Sequence, residues 1–195
     1  MTDRIAARMH AMRSFQVMDL VDQAQRLEAI GKDIVHMEVG EPDFISAEPI
    51  LEAGAAAIRG GQTRYTSALG LPALREGIAA YYARWHGVDV APDRIVITAG
   101  ATGALVMLAG LLLEDGDGLL MGDPCYPCNR QLPLLVGAES QLVPAGPAEA
   151  YQISADGVRA AVRSNTRGVL VASPANPTGS MLGRGALTNL LATNE

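Results

Sequence analysis

The rhythm of apolar positions changes along this chain. In residues 5–30, Val17, Leu20, Val21, Ala24, Leu27 and Ile30 recur at helical spacing, and Gly31 offers a stop. The segment DIVHMEV then alternates and predicts a short extended strand, after which GEPDF must turn because it holds Gly40 and Pro42. Ser46 is placed to cap a helix whose first turn contains Glu48 and Pro49, and that helix should end near RGG. After the loop QTRYTSALG, Pro72 opens a further helix, with Leu74, Ile78, Tyr81, Tyr82 and Trp85 mostly on one side.

From there a regular alternation is predicted. RIVIT, GLLMG, SQLVP and GVLVAS read as short strands. GATGALVMLAGLLL, NRQLPLLVG (interrupted by Pro133), SADGVRAAVRSN (capped by Ser154, with Asp156 in its first turn) and GRGALTNLLATNE read as helices. Such alternation predicts right-handed crossovers and a mainly parallel sheet covered on both faces, a three-layer α/β/α fold. Residues up to about 44 form an N-terminal arm, and 45–195 form the main domain. The longest apolar run, 104–113, is too short for a bilayer, which needs about 20 residues, and is expected to be a buried helix.

Composition narrows the function classes. Hydrophobic residues at 49% and charged residues at 18% describe a globular chain. A formal net charge of -6 gives no basic footprint for nucleic acid. Residues 1–15 carry arginines but no long apolar core, so no signal peptide is expected. Two cysteines without an export signal point to a reducing cytoplasm. Of the fifteen basic residues, only Lys32 is a lysine.

Ligands of open α/β sheets bind at the carboxyl ends of the strands, so the residues delivered there matter most. After RIVIT come Gly100, Ala101, Thr102 and Gly103, where a helix begins. Free N–H groups, the helix dipole and the Thr102 hydroxyl suit a phosphate, although a tight turn that binds nothing has the same sequence. A dinucleotide site would also place glycines here, with Asp123 as its acid, but no G-x-G-x-x-G and no Gly-Lys-Ser/Thr occurs. After GLLMG comes DPCYPCN, whose Cys125 and Cys128 have the spacing of a redox pair or half a zinc site; no second cysteine pair exists to complete a metal site. After GVLVAS comes SPANPTG, in which two prolines flank Asn176 and can fix its amide toward a ligand oxygen. His10, His36 and His86 lie far from these strand ends, and no G-x-S-x-G elbow is present.

Taken together, VGEPDF, RYTSALGLPALREGIAAYY, ITAGATGAL, DPCYPCN and SPANPTG resemble, in order and rough spacing, the class I/II aminotransferases, fold-type-I enzymes dependent on pyridoxal 5′-phosphate. The resemblance runs from about Val17 to Gly183. It implies the N-terminal part of a pyridoxal-phosphate-dependent transferase large domain, incomplete at its C-terminus, with the first 44 residues belonging to a small domain. It implies that Gly100, Ala101 and Thr102 hold the cofactor phosphate, that Tyr126 stacks on the pyridine ring, and that Asn176 bonds the ring hydroxyl. It further implies that Tyr65 reaches the phosphate of a partner subunit in a homodimer, and that Gly40 lies beside the substrate carboxylate. Amino acids and 2-oxo acids would be the substrates.

The resemblance also marks what this sequence does not supply. The Schiff-base lysine, the aspartate that pairs with the pyridinium nitrogen and the carboxylate-binding arginine have no counterpart, and Lys32 lies in the arm. The expectation is therefore a fragment with no catalytic residue of its own, inactive alone and prone to associate. Two other readings of the residues are a noncatalytic α/β module for a phosphorylated ligand and a nucleotide-binding βαβ oxidoreductase.

Overall fold

A computed structural model describes residues 4–194, with the Asn194 side chain left aside. The chain divides into two compact units: residues up to Ile34 together with those from Leu105 onward, and Val35–Ala104 between them. We call them the sheet unit and the helical unit. Glu195, the last residue of the expected terminal helix, and residues 1–3 of the arm lie outside the described residues.

The sheet unit is built on three parallel strands, β1 (Gly118–Asp123), β2 (Glu139–Pro144) and β3 (Thr166–Leu170), in the order β2-β1-β3. β1 is central, and its run Leu119-Leu120-Met121 is apolar on successive residues, as a strand covered on both faces requires. Leu120 joins Val143, Ile153, Val158 and Leu190 in one core. That core uses α5 (Ala155–Ala161) and α6 (Arg184–Leu191) as its cover. Leu119 points to the other face and packs with Ala109, Leu113 and Ala138. Ala109 belongs to α4 (Gly100–Leu112), within which the boundary between the units falls. Helices thus cover both faces, the α/β/α arrangement expected from the sequence. Ser154 caps α5 as predicted, its Oγ accepting from the Gly157 N–H at 3.0 Å.

Several local expectations need correction. NRQLPLLVG forms two 3-10 turns, Pro127–Gln131 and Pro133–Val136, rather than a helix. Pro133 removes an N–H and its ring clashes with the preceding turn. β3 begins two residues earlier than GVLVAS implies, because Thr166 pairs with Gly118, and it stops where Leu170 meets Met121. The 104–113 segment is helical, yet only Ala109 and Leu113 are buried, and Met107, Leu111 and Leu112 are exposed. The first helix, α1 (Gln16–Ala29), starts well after residue 5; Ser14 donates to Asp19 in its first turn at 2.6 Å, and a 3-10 turn, Ala7–His10, precedes it.

The helical unit contains α2 (Glu48–Arg59), α3 (Pro72–His86) and the start of α4. Ala47, not Ser46, is the N-cap of α2 and makes no side-chain cap, so the helix relies on Pro49 in its first turn. α3 opens on Pro72 and closes on Gly87 in the left-handed region, with φ 63. Neither DIVHMEV nor RIVIT forms a strand among the described residues. A strand exists only through a neighbour that shares its hydrogen bonds, and Ile97 bonds instead to the Leu69 carbonyl at 3.0 Å. Gly70 permits that approach. It has φ +95, and a Cβ there would stand 2.5 Å from Ile97 Cγ1.

Candidate cofactor site

β1 and β3 lie side by side, and each ends in a proline-rich loop. Three peptide bonds before proline are cis among the described residues: Asp123-Pro124, Ser173-Pro174 and Asn176-Pro177. The two loops meet around a cavity of about 30 Å³ whose lining includes Cys125, Asn129, Tyr151, Gln152, Ala175 and Asn176. That volume suits one or two water molecules rather than a cofactor ring. Asn176 itself is exposed at the rim.

The DPCYPCN segment is tied to its own turn. Arg130 pairs with the Asp123 carboxylate, and the Ser140 hydroxyl donates to the Arg130 carbonyl at 2.8 Å. The Cys125 thiol and then Asp123 hold the Arg130 guanidinium above its ordinary value, with burial opposing. The Tyr126 phenol is raised as well, first by hydrogen bonding with Cys128, then by burial, then by the charge Cys128 can carry. The Asn129 N–H returns to the Tyr126 carbonyl at 3.0 Å. The Tyr126 ring is half-buried and meets Phe15 edge-on, at 5.8 Å between centroids and 67° between planes. Both cysteines are free thiols. Among the described residues no group of three or more His, Cys, Asp or Glu side chains is arranged to hold a metal ion.

The SPANPTG loop is held from several sides. The Ala175 N–H donates to the Ser180 carbonyl at 2.9 Å, and Gly179 N–H donates back to Ala175 at 2.7 Å. The Leu182 N–H donates to the Ser173 hydroxyl oxygen at 2.9 Å, and Thr178 and Ser180 hydroxyls share a 2.8 Å bond.

The remaining predicted residues belong to the helical unit. Gly100 opens α4 in the left-handed region, with φ +68 and open space where a Cβ would stand. The Thr98 hydroxyl donates to the Gly100 carbonyl at 2.8 Å, which fixes the turn from below. Ala101 and Thr102 are exposed in the first turn of a 13-residue helix, where N–H groups have no intrahelical acceptor. This donor set, with the helix dipole behind it, fits a phosphate. Tyr65 is fully exposed in its loop. Gly40 is exposed, two residues from Glu38, whose carboxyl lies below its usual range chiefly through a 2.6 Å hydrogen bond with His36. No motif in the sequence singles out Gln152, Asn129, Arg130 or the packing of Phe15. Their signals are single polar or aromatic residues in irregular segments, where no period marks them.

The sequence profile of the family described as aminotransferase class I and II matches residues 32–195. A valine–pyruvate aminotransferase of Mycobacterium tuberculosis is 40% identical over 182 residues, covering 93% of this chain and 46% of that protein. A (5-formylfuran-3-yl)methyl phosphate transaminase of Methanocaldococcus jannaschii is 33% identical over 180 residues, covering 92% and 46%. Among solved structures, an aminotransferase from Mycobacterium tuberculosis superposes with a TM-score of 0.90 at 38% identity, over 98% of this chain and 49% of that one. The aspartate aminotransferase of Thermus thermophilus with maleate gives 0.91 at 30% identity, over 97% and 50%. The chain spans about half the length of the curated relatives it matches.

Proposed function

The chain belongs to the class I and II aminotransferase family, and from that premise we propose that it binds pyridoxal 5′-phosphate through its two strand-end loops and its glycine turn. The reading is supported above all by one observation: the Tyr126 and Asn176 loops leave adjacent parallel strands at their carboxyl ends and close on each other. The residues fit the group chemically. Gly100, Ala101 and Thr102 would take its phosphate, the Tyr126 ring would lie against its pyridine face, and the Asn176 amide would donate to its ring oxygen. Bound pyridoxal 5′-phosphate supplies an electron sink at the carbon bearing the amino group. The chain's own share is binding and orientation: a flat ring to stack on, an amide donor, and a helix N-terminus for the anion. Gly40 would leave room for the carboxylate of an amino acid or 2-oxo acid. Lys32, the only lysine, is exposed just past α1, so these 195 residues by themselves should bind without turnover.

The same proposal places the protein in the cytoplasm and in amino acid metabolism, as a homodimer in which exposed Tyr65 reaches the partner's phosphate. No helix among the described residues is long and apolar enough to cross a membrane. Titration with pyridoxal 5′-phosphate, followed by quenching of Trp85 and tyrosine fluorescence, tests the cofactor assignment. Saturable quenching that is lost in Tyr126→Ala and Asn176→Ala is expected; quenching by NAD instead would overturn it. Light scattering tests the assembly, and a clean monomer would count against the homodimer.

A further inference from the structure

Gln152 is a buried polar residue outside the motifs that carry the family likeness. It is 8% exposed and follows Ala150 and Tyr151, both in the left-handed region at φ 49 and 58. Its amide nitrogen donates to the Ser180 carbonyl at 2.8 Å, and lies 3.3 Å from both the Ala172 carbonyl and the Ser180 hydroxyl. Ala172 and Ser180 are the two ends of the loop that presents Asn176. The Ser180 carbonyl also receives the Ala175 N–H, so one oxygen joins the Gln152 clasp to the turn just before Asn176. Gln152 and Asn176 line the same small cavity.

We propose that Gln152 is a positioning residue: by bridging Ala172 and Ser180 it fixes the loop in the conformation that aims the Asn176 amide at the bound cofactor. The proposal rests on the cofactor reading of Asn176 given above. A neutral amide suits the task, since it donates to carbonyl oxygens at both loop ends without placing a charge in a buried site. A carboxylate there would have no proton to donate, and an aliphatic side chain of the same size would remove the bridge between the Ala172 and Ser180 carbonyls.

Two experiments on the full chain separate this role from the cofactor reading. The first is hydrogen exchange without ligand, comparing the unmodified protein with Gln152→Leu. The Ala175 and Gly179 amides should exchange about tenfold faster in the variant, while the β1 and β2 amides stay unchanged. Loop amides exchanging as in the unmodified protein would overturn the proposal, and loss of protection everywhere would show a general folding defect and equally count against it. The second is a cycle of pyridoxal 5′-phosphate affinities for Gln152→Leu, Asn176→Ala and the double variant. Each single change should weaken binding about tenfold, and the double variant should bind no more weakly than Asn176→Ala alone. Additive losses would mean that Gln152 acts elsewhere. If the unmodified chain shows no binding, the cofactor reading of Asn176 fails, and the exchange measurement still decides whether Gln152 holds the loop.

Discussion

Leu120 in β1 and Ile58 in α2 are both apolar residues at regular spacing, yet the first has no exposed surface and the second keeps 71% of its own. The contrast extends to whole units. In the sheet unit, β1 presents Leu120 to α5 and α6 and Leu119 to the end of α4. In the helical unit, α2 and α3 bury no residue, and Phe44, Ile45 and Trp85 are exposed. Helix-boundary residues act in both units: Pro72 starts α3 and Gly87 ends it, as Ser154 starts α5. What differs is the surface on offer. Periodicity selects the face of an element, but stabilisation of about 25 cal/mol per Å² accrues only for apolar area that a neighbour removes from water.

The largest expected effect tests this contrast directly. Leu120→Ala should cost about 2–5 kcal/mol in urea unfolding, through lost burial and a cavity between β1 and α5. Ile58→Ala should stay within about 0.5 kcal/mol. Equal costs would break the comparison and show that the α2 face is covered in solution, as an assembled protein would require. Two glycines sharpen it next. A Cβ on Gly118 would stand 2.1 Å from Gln141 Nε2, at the hub of a network tying Glu139, Asn165 and Thr166 together. Gln141 is buried and both of its amide hydrogens are bonded, so Gly118→Ala should cost about 1–3 kcal/mol. Gly70→Ala adds a positive φ to a clash with Ile97 and should cost about as much, in the unit where helix faces cost nothing. If Gly70→Ala is silent in the same unfolding assay, the Leu69–Ile97 approach is not formed in solution.

A smaller effect concerns acid. The Glu139 carboxyl is held below the usual glutamate range, first by Gln141, then by Asn165 and Arg163, with burial opposing. The unfolded chain therefore binds that proton more readily than the folded one. The stabilisation is fully present above the unfolded value, about 4.3, and is lost as pH falls through the lower folded value. Glu139→Gln should flatten this part of the acid limb in pH-dependent unfolding; an unchanged limb would mean that the network does not engage the carboxylate.

The legibility of the sequence follows the same division. GLLMG and SQLVP appear as β1 and β2 at their predicted places, because each finds a neighbouring strand and a helix layer to bury its apolar positions. RIVIT has equal strand propensity and forms no strand, because propensity supplies no partner. At the candidate site, Asn176 stands out through its flanking prolines and Gly100 through its place before a helix. Gln152 and Arg130 do not stand out, since the partner of Gln152 lies 28 residues away and Arg130 sits in a proline-broken turn. The surroundings of the cysteines are a related case. Spacing suggests chemistry between the two thiols, while the fold sets each beside another side chain.

The smallest expected effect follows from that last point and separates neighbourhood from spacing within the sheet unit. Cys128 raises the Tyr126 phenol chiefly because a hydrogen bond with its side chain favours the neutral ring hydroxyl, and in smaller part through its charge. Cys128→Ala removes both effects and leaves only partial burial to hold the phenol up. An ultraviolet difference titration between the two proteins should show one tyrosine ionising at lower pH in the variant. Cys125→Ala should leave that curve in place, since Cys125 lies against Arg130 instead. A shift from the Cys125 change and none from the Cys128 change would mean that the turn at Tyr126 is wound the other way, with the ring facing a different part of the candidate site.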